Sequence, residues 1–146
     1  MKKNIALVTG GFSGEGTKIP VDKNDFSLML PEGKISFDAV YIGMHGTPGE
    51  DGKLQGYFDT LNIPYTGCNA ASSAITFNKG YAVAVAAMAG IAVSRSVVLL
   101  KNNSFNVEEI KDKLRFPVFV KPNNGGSSIG MSKVDKPSDD VAGAIE

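Results

Sequence analysis

Two short apolar runs, each broken off by a glycine-rich turn, constrain this chain most. Ile5-Ala6-Leu7-Val8 runs into Gly10-Gly11-Phe12-Ser13-Gly14-Glu15-Gly16. Asp38 to Met44, with the apolar stretch AVYIG, runs into His45-Gly46-Thr47-Pro48-Gly49-Glu50-Asp51-Gly52. Continuous apolar runs of this length read as buried parallel strands rather than half-buried antiparallel ones. Glycine at a strand's carboxyl end lets backbone approach a ligand closely. After the second run, Leu54, Tyr57, Phe58 and Leu61 fall at i, i+3, i+4 and i+7, one face of a helix. Ile63 to Gly67 reads as a short extended piece. The pattern is that of an open α/β domain, taken over residues 1–75.

One stretch conflicts with it. A parallel strand pair calls for a crossover, usually a helix. Residues 17–35, TKIPVDKNDFSLMLPEGKI, instead carry two prolines, a hairpin-like PEGK turn and no helical period. Either this loop is unusual, or a helix and strand present in related chains are lacking after residue 15.

The second half, taken over residues 76–146, opens on a helix. Asn78 suits its cap, Ala82 to Ala89 favour it, and Gly90 can close it in the left-handed conformation. Ser94 to Leu100 reads as a strand, and Val107, Ile110 and Leu114 as a short helix. Pro117 to Lys121 reads as a strand paired, across a loop, with Ser127 to Val134. Ser138, Asp139 and Asp140 read as the start of a last helix, with a capping serine and an acidic first turn. A helix cut after about two turns is a poor natural end. The expectation is part of a longer protein.

Composition closes off several function classes. Fifteen basic residues balance fifteen acidic ones, which gives no electrostatic case for nucleic acid or an acidic membrane surface. No apolar run reaches the roughly 18 residues of a membrane span. The single cysteine, Cys68, forbids an internal disulfide and suits a reducing compartment. The apolar stretch behind MKK is too short for an export signal, so a cytoplasmic location is expected.

Four features carry chemistry. Lys121 precedes Asn123-Asn124-Gly125-Gly126-Ser127-Ser128-Ile129-Gly130 between two strands, which suits a phosphate cradle on a flexible hairpin. It is neither a Walker loop nor a dinucleotide fingerprint, and a mobile polar hairpin fits it equally well. His45, the only histidine, follows the second strand. It can serve a substrate site or merely hydrogen-bond its loop, where Glu50 or Asp51 can cap the next helix. Glu15 can meet a substrate cation or sit in solvent. Lys79, at a helix start where its charge opposes the dipole, can mark a bound anion or a solvated surface. Cys68 reads as an inert thiol, and Tyr57, Phe58, Phe116 and Phe119 read as core.

Taken together, the ordered blocks GGFSGE, HGTPGEDGKLQGYFDTLNIPYTGC, Asn78-Lys79 and FPVFVKPNNGGSSIGMSKV resemble the D-alanine–D-alanine ligases, a branch of the ATP-grasp enzymes. The resemblance covers about residues 4–15 and 38–135. The GEDG…QG…PYTG block separates it from other ATP-grasp enzymes such as carboxylases. It implies an open α/β N-terminal domain followed by the first part of an ATP-grasp central domain. It also implies ATP-dependent joining of two D-alanines through a D-alanyl phosphate, for peptidoglycan precursors, with magnesium or manganese.

By position, Glu15 resembles the acid that holds the first D-alanine's ammonium, and His45 resembles the histidine lining that subsite. Lys79 and Lys121 resemble two lysines on ATP phosphates. Gly126, Ser127, Ser128 and Gly130 resemble the loop that closes over them, with Ser127 also near the substrates. Pairing of two copies through the first domain is a further implication. No carboxylate here matches the magnesium ligands, which the resemblance places in a C-terminal part, as it does the residues choosing the second substrate. A D-alanine–D-lactate or D-serine ligase, an inactive fragment and a plain binding module are the alternatives.

Overall fold

The computed structural model describes residues 3–9, 18–101 and 103–145. The chain divides into two compact units, Met1–Phe77 and Asn78–Glu146.

In the first unit, β1 (Ile5–Thr9) pairs in parallel with β5 (Ala39–Gly43), Ile5 opposite Ala39 and Thr9 opposite Gly43. This is the α/β start that the apolar runs imply. Tyr65 adds a parallel bridge to Val40, held by Val40 N–H to the Pro64 carbonyl at 2.8 Å and Thr66 N–H to the Val40 carbonyl at 3.0 Å. Helix α1 (Lys53–Leu61) lays Phe58 against this sheet. The core is Ala6, Val40 and Phe58, with Val8, Ile42, Leu54 and Tyr65 around it. The expectation of fully buried strands holds for one face only. Ile5, Leu7 and Tyr41 are 67%, 65% and 53% exposed, because no described element covers their face.

Residues 21–35 form an antiparallel meander of β2 (Val21–Asp22), β3 (Ser27–Leu30) and β4 (Gly33–Ile35). The missing helical period and the PEGK turn belong to this. Before β3, Phe26 sits at φ 54°, a costly conformation for a bulky residue. In this position its ring lies 4.8 Å from that of Phe58, edge-on, and 5.7 Å from that of Phe37. Aromatic packing of this kind offsets the backbone strain.

Asp25 ties the meander together. It accepts from the Ser27 N–H at 3.1 Å and hydroxyl at 2.6 Å and pairs with Lys34. The Lys34 ammonium, then the Ser27 hydroxyl, hold its carboxyl below the ordinary value of 3.8. A carboxyl whose pKa is lower in the folded state stabilises above the unfolded value, and loses that contribution as pH falls through the folded one. Amide exchange in β3 and β4 should therefore accelerate as pH drops below about 3.8, after correction for intrinsic rates. In Asp25→Asn that acid limb should vanish; an unchanged limb would assign it to another group.

Helix α2 (Ala70–Phe77) closes this unit. No periodicity in the sequence marks it, because AASSAITF has little amphipathic contrast. Asn69 starts it by accepting from the Ser72 N–H at 2.8 Å.

The second unit opens on α3 (Lys79–Met88). As expected, Asn78 caps it, accepting from the Tyr81 N–H at 2.9 Å, and Gly90 (φ 77°) closes it. Ile91 N–H bonds back to the Ala86 carbonyl and Gly90 N–H to that of Ala87, both at 3.0 Å. Helix α4 (Val107–Lys113) follows, then β6 (Val118–Val120), antiparallel to β7 (Ser132–Val134) with Phe119 opposite Lys133.

Three expectations change here. Residues 94–100 form no strand, since no described strand lies beside them to complete a ladder, and Val98 and Leu100 stay exposed. The second hairpin strand begins at Ser132, not Ser127, because residues 127–130 turn. Helix α5 (Val141–Ile145) is capped by Asp140, which accepts from Gly143 N–H at 2.8 Å, and not by Ser138. No helix among the described residues is long and apolar enough to cross a membrane.

Candidate nucleotide-phosphate site

The second unit contains a groove of about 1160 Å³. Val83, Val97, Ile110 and Val118 contribute apolar lining, and Lys79, Arg95, Arg115 and Lys121 are the charged residues along it. Among the described residues no aspartate or glutamate lines it. The ion pairs among the described residues all use other cations. A concave apolar wall with four cations and no acid suits an anionic ligand that also carries an apolar body.

Lys121 leaves β6 directly. Phe119, two residues earlier, shares its side of the strand, and the ammonium stands 5.6 Å from that ring's centre. Phe119 is therefore not core: it is 53% exposed, beneath a lysine. Lys79 is half-buried and its ammonium donates to the Gly125 carbonyl at 3.0 Å. That bond joins α3 to the loop between β6 and β7.

In that loop Ser127 and Ser128 lie at φ 54° and 56°, with Gly125 at 132° and Gly130 at 68°. Left-handed serines are costly, on the order of 1–3 kcal/mol each, and such strain gathers at ligand clamps. Gly126, Ser127, Ser128 and Gly130 are exposed and do not line the groove. Thus the structure joins Lys79 to the loop and places both lysines along one groove.

His45 stands in the first unit, just past β5, with its side chain 94% exposed. Its Nδ1 is 4.0 Å from a Glu50 carboxylate oxygen. Glu50 chiefly closes its own loop, accepting from the Gly46 N–H at 2.5 Å. Asp51 accepts from the Lys53 N–H at 3.2 Å and the Thr47 hydroxyl at 2.8 Å. Burial pushes its carboxyl up, but the Lys53 ammonium at 2.8 Å, then the Thr47 hydroxyl and the Lys53 N–H, outweigh it and hold the carboxyl below its ordinary value. Glu15, the expected partner of a substrate ammonium, lies outside the described residues.

Three contributors were not legible in the sequence. Arg95 and Arg115 reach the groove only because the unit folds. Gln55 is buried in α1 and its amide donates to the Gly49 carbonyl at 2.7 Å, bracing the turn after His45. Its position within the GEDG…QG block is the one signal for it. Among the described residues no cluster of His, Cys, Asp or Glu could hold a metal ion.

Two family models match the chain. One, described as the D-ala D-ala ligase N-terminus, covers residues 17–68, and the other, the D-ala D-ala ligase C-terminus, covers residues 85–146. The chain belongs to the D-alanine–D-alanine ligase family. A D-alanine–D-alanine ligase of Phocaeicola vulgatus is 49% identical to it over 132 residues, 90% of this chain and 40% of that one. A relative of the same name from Parabacteroides distasonis is 38% identical over 176 positions, 94% of this chain and 53% of that one. Since this chain has 146 residues, at least 30 of those positions have no counterpart in it. Among solved structures, a D-Ala:D-Ser ligase from Enterococcus faecalis superposes with a TM-score of 0.71 and 34% identity. That match covers 88% of this chain and 37% of that one. The chain thus spans about two fifths to half the length of these similar proteins.

Proposed function

We propose that this chain is the part of an ATP-dependent D-alanine–D-alanine ligase that binds the first substrate and grips the phosphates of ATP. The observation that carries this reading is the groove's four cations, without an acid, beside a glycine–serine loop joined to Lys79. A carboxylate oxygen of the first D-alanine attacks the terminal phosphorus of ATP, the bond to the bridging oxygen breaks, and ADP leaves. The amine of the second D-alanine then attacks the acyl carbon. The acyl–oxygen bond breaks, phosphate leaves, and the nitrogen gives up a proton as the peptide forms.

Lys79 and Lys121 hold the phosphates in this scheme and stabilise charge on the transferring oxygens. Gly126, Ser127, Ser128 and Gly130 cover them, with Ser127 facing the substrates. Glu15 and His45 hold the first D-alanine. Magnesium or manganese accompanies ATP in such chemistry; among the described residues the groove's lining offers no carboxylate to hold it. The reaction belongs in the cytoplasm and feeds peptidoglycan synthesis. Likeness to a D-Ala:D-Ser ligase keeps D-serine as a second reading of the final acceptor.

Calorimetric titration of the purified chain with MgATP tests the reading. Lys121→Ala, which removes a charge-assisted contact, should weaken binding roughly 10- to 100-fold. An unchanged affinity would take Lys121 out of the site, and no binding by the unmodified chain would remove the nucleotide reading.

A further inference from the structure

The start of α3 has an unusual fate for its backbone donors. The first N–H groups of a helix lack partners within it and are free to hold an anion. Here they are already used. Lys79 N–H donates to the Asn123 carbonyl at 2.9 Å, and Gly80 N–H donates to the Asn123 side-chain oxygen at 2.9 Å. Tyr81 N–H donates to the Asn78 side chain, also at 2.9 Å. Asn78 and Asn124 form an antiparallel bridge beside them. A phosphate therefore does not sit on this helix end, although a lysine there suggested one.

We propose that Asn123 is a positioning residue that clasps α3 to the glycine–serine loop, so that Lys79 and the loop meet a phosphate as one body. Asn123 lies two residues past Lys121 and holds two consecutive amides of a helix more than 40 residues earlier in the chain. With that end fixed, the Lys79 side chain crosses to the Gly125 carbonyl, three residues before Ser128. Gly80 is part of the fit. A Cβ there would stand 3.2 Å from a Val98 methyl and 3.3 Å from the Asn123 oxygen, so any larger residue would press these side chains back by a few tenths of an ångström. Its side-chain oxygen and its carbonyl both engage amides of α3, so Asn123 acts through Lys79. The consequence for nucleotide binding rests on the function proposed above; the clasp itself does not.

Two measurements on the purified chain separate them. In Asn123→Ala, hydrogen exchange at the Gly80 amide should rise about tenfold, the worth of one hydrogen bond, while β6 and β7 keep their protection. Asn123→Asp, which retains an acceptor oxygen, should restore it. If all of the second unit exchanges faster in Asn123→Ala, the aspartate variant decides: no restored protection at Gly80 overturns the clasp. Unchanged exchange at Gly80 in Asn123→Ala overturns it as well.

The second measurement is a double-mutant cycle on MgATP affinity. Asn123→Ala should weaken binding about tenfold, and Asn123→Ala combined with Lys79→Ala should bind no worse than Lys79→Ala alone, because one acts through the other. Additive losses would mean that Asn123 does not work through Lys79, and would overturn the proposal. If the unmodified chain binds no MgATP while Gly80 exchange still responds, the nucleotide reading fails and the clasp stands.

Discussion

Truncating Phe58 to alanine should unfold the first unit near room temperature. Phe58 is fully buried, the largest such side chain among the described residues. Its ring meets those of Phe26, Tyr57 and Tyr65 at 4.8, 5.2 and 6.1 Å, and it rests on Ala6 and Val40 of the sheet. Removing a buried phenylalanine costs about 3–5 kcal/mol through lost burial and the cavity left behind. A unit of this size commands only about 4–11 kcal/mol in total. Among the described residues it also has one uncovered sheet face and few fully buried side chains, which places it at the lower end. The expected fall in melting midpoint is at least about 12 °C, read by circular dichroism. Phe58→Met, which keeps part of the volume, should lose less. A fall below about 4 °C in Phe58→Ala, roughly the effect of 1 kcal/mol, would mean that the aromatic cluster is not what holds this unit together.

Gly52→Ala should have the next largest effect on stability. Gly52 is the N-cap of α1 at φ 90°, where a residue with a Cβ is strained by about 1–3 kcal/mol. The added Cβ would also stand 2.6 Å from the Ala70 carbonyl oxygen and 3.4 Å from the Ala74 Cβ. The first of these is backbone, so α1 and α2 must move apart. The two effects together should exceed about 3 kcal/mol, as in other cases where backbone strain and overpacking combine. Gly46→Ala isolates the conformational part, since Gly46 has φ 72° but nothing within 4 Å of its would-be Cβ. Equal losses in the two variants, in parallel melts, would sink the steric argument. Glu50 and Asp51 lie between these glycines and His45 directly precedes them, so on the function proposed above Gly52→Ala should also disturb first-substrate binding.

Much of the molecule is determined by local sequence. IALV and AVYIG are strands because short apolar runs ended by glycine can do little else. Leu54, Tyr57, Phe58 and Leu61 make a helix by their spacing, and Asn78 and Gly90 bound α3 by their capping chemistry. The ordered motifs also carried the family, because chemistry requires those residue types in that order. The lysines and the glycine–serine loop could be named as phosphate-binding candidates from sequence, but not which of them touch.

Other features were decided only by tertiary structure. Phe26 takes a left-handed conformation because a distant ring, Phe58, rewards it. Phe119 and Phe116 look alike in sequence, yet Phe119 is exposed beneath Lys121, since strand alternation sends it to Lys121's side. The apolar run 94–100 has strand composition, but a strand exists only when another lies beside it to accept its hydrogen bonds. Arg95 and Arg115, 20 positions apart in sequence, line one groove, and Asn123 reaches back to cap a helix it does not adjoin. Spacing along a chain reports what one helix or strand does with its own neighbours. Which side chains from separate elements meet depends on how those elements pack, and no local pattern encodes that.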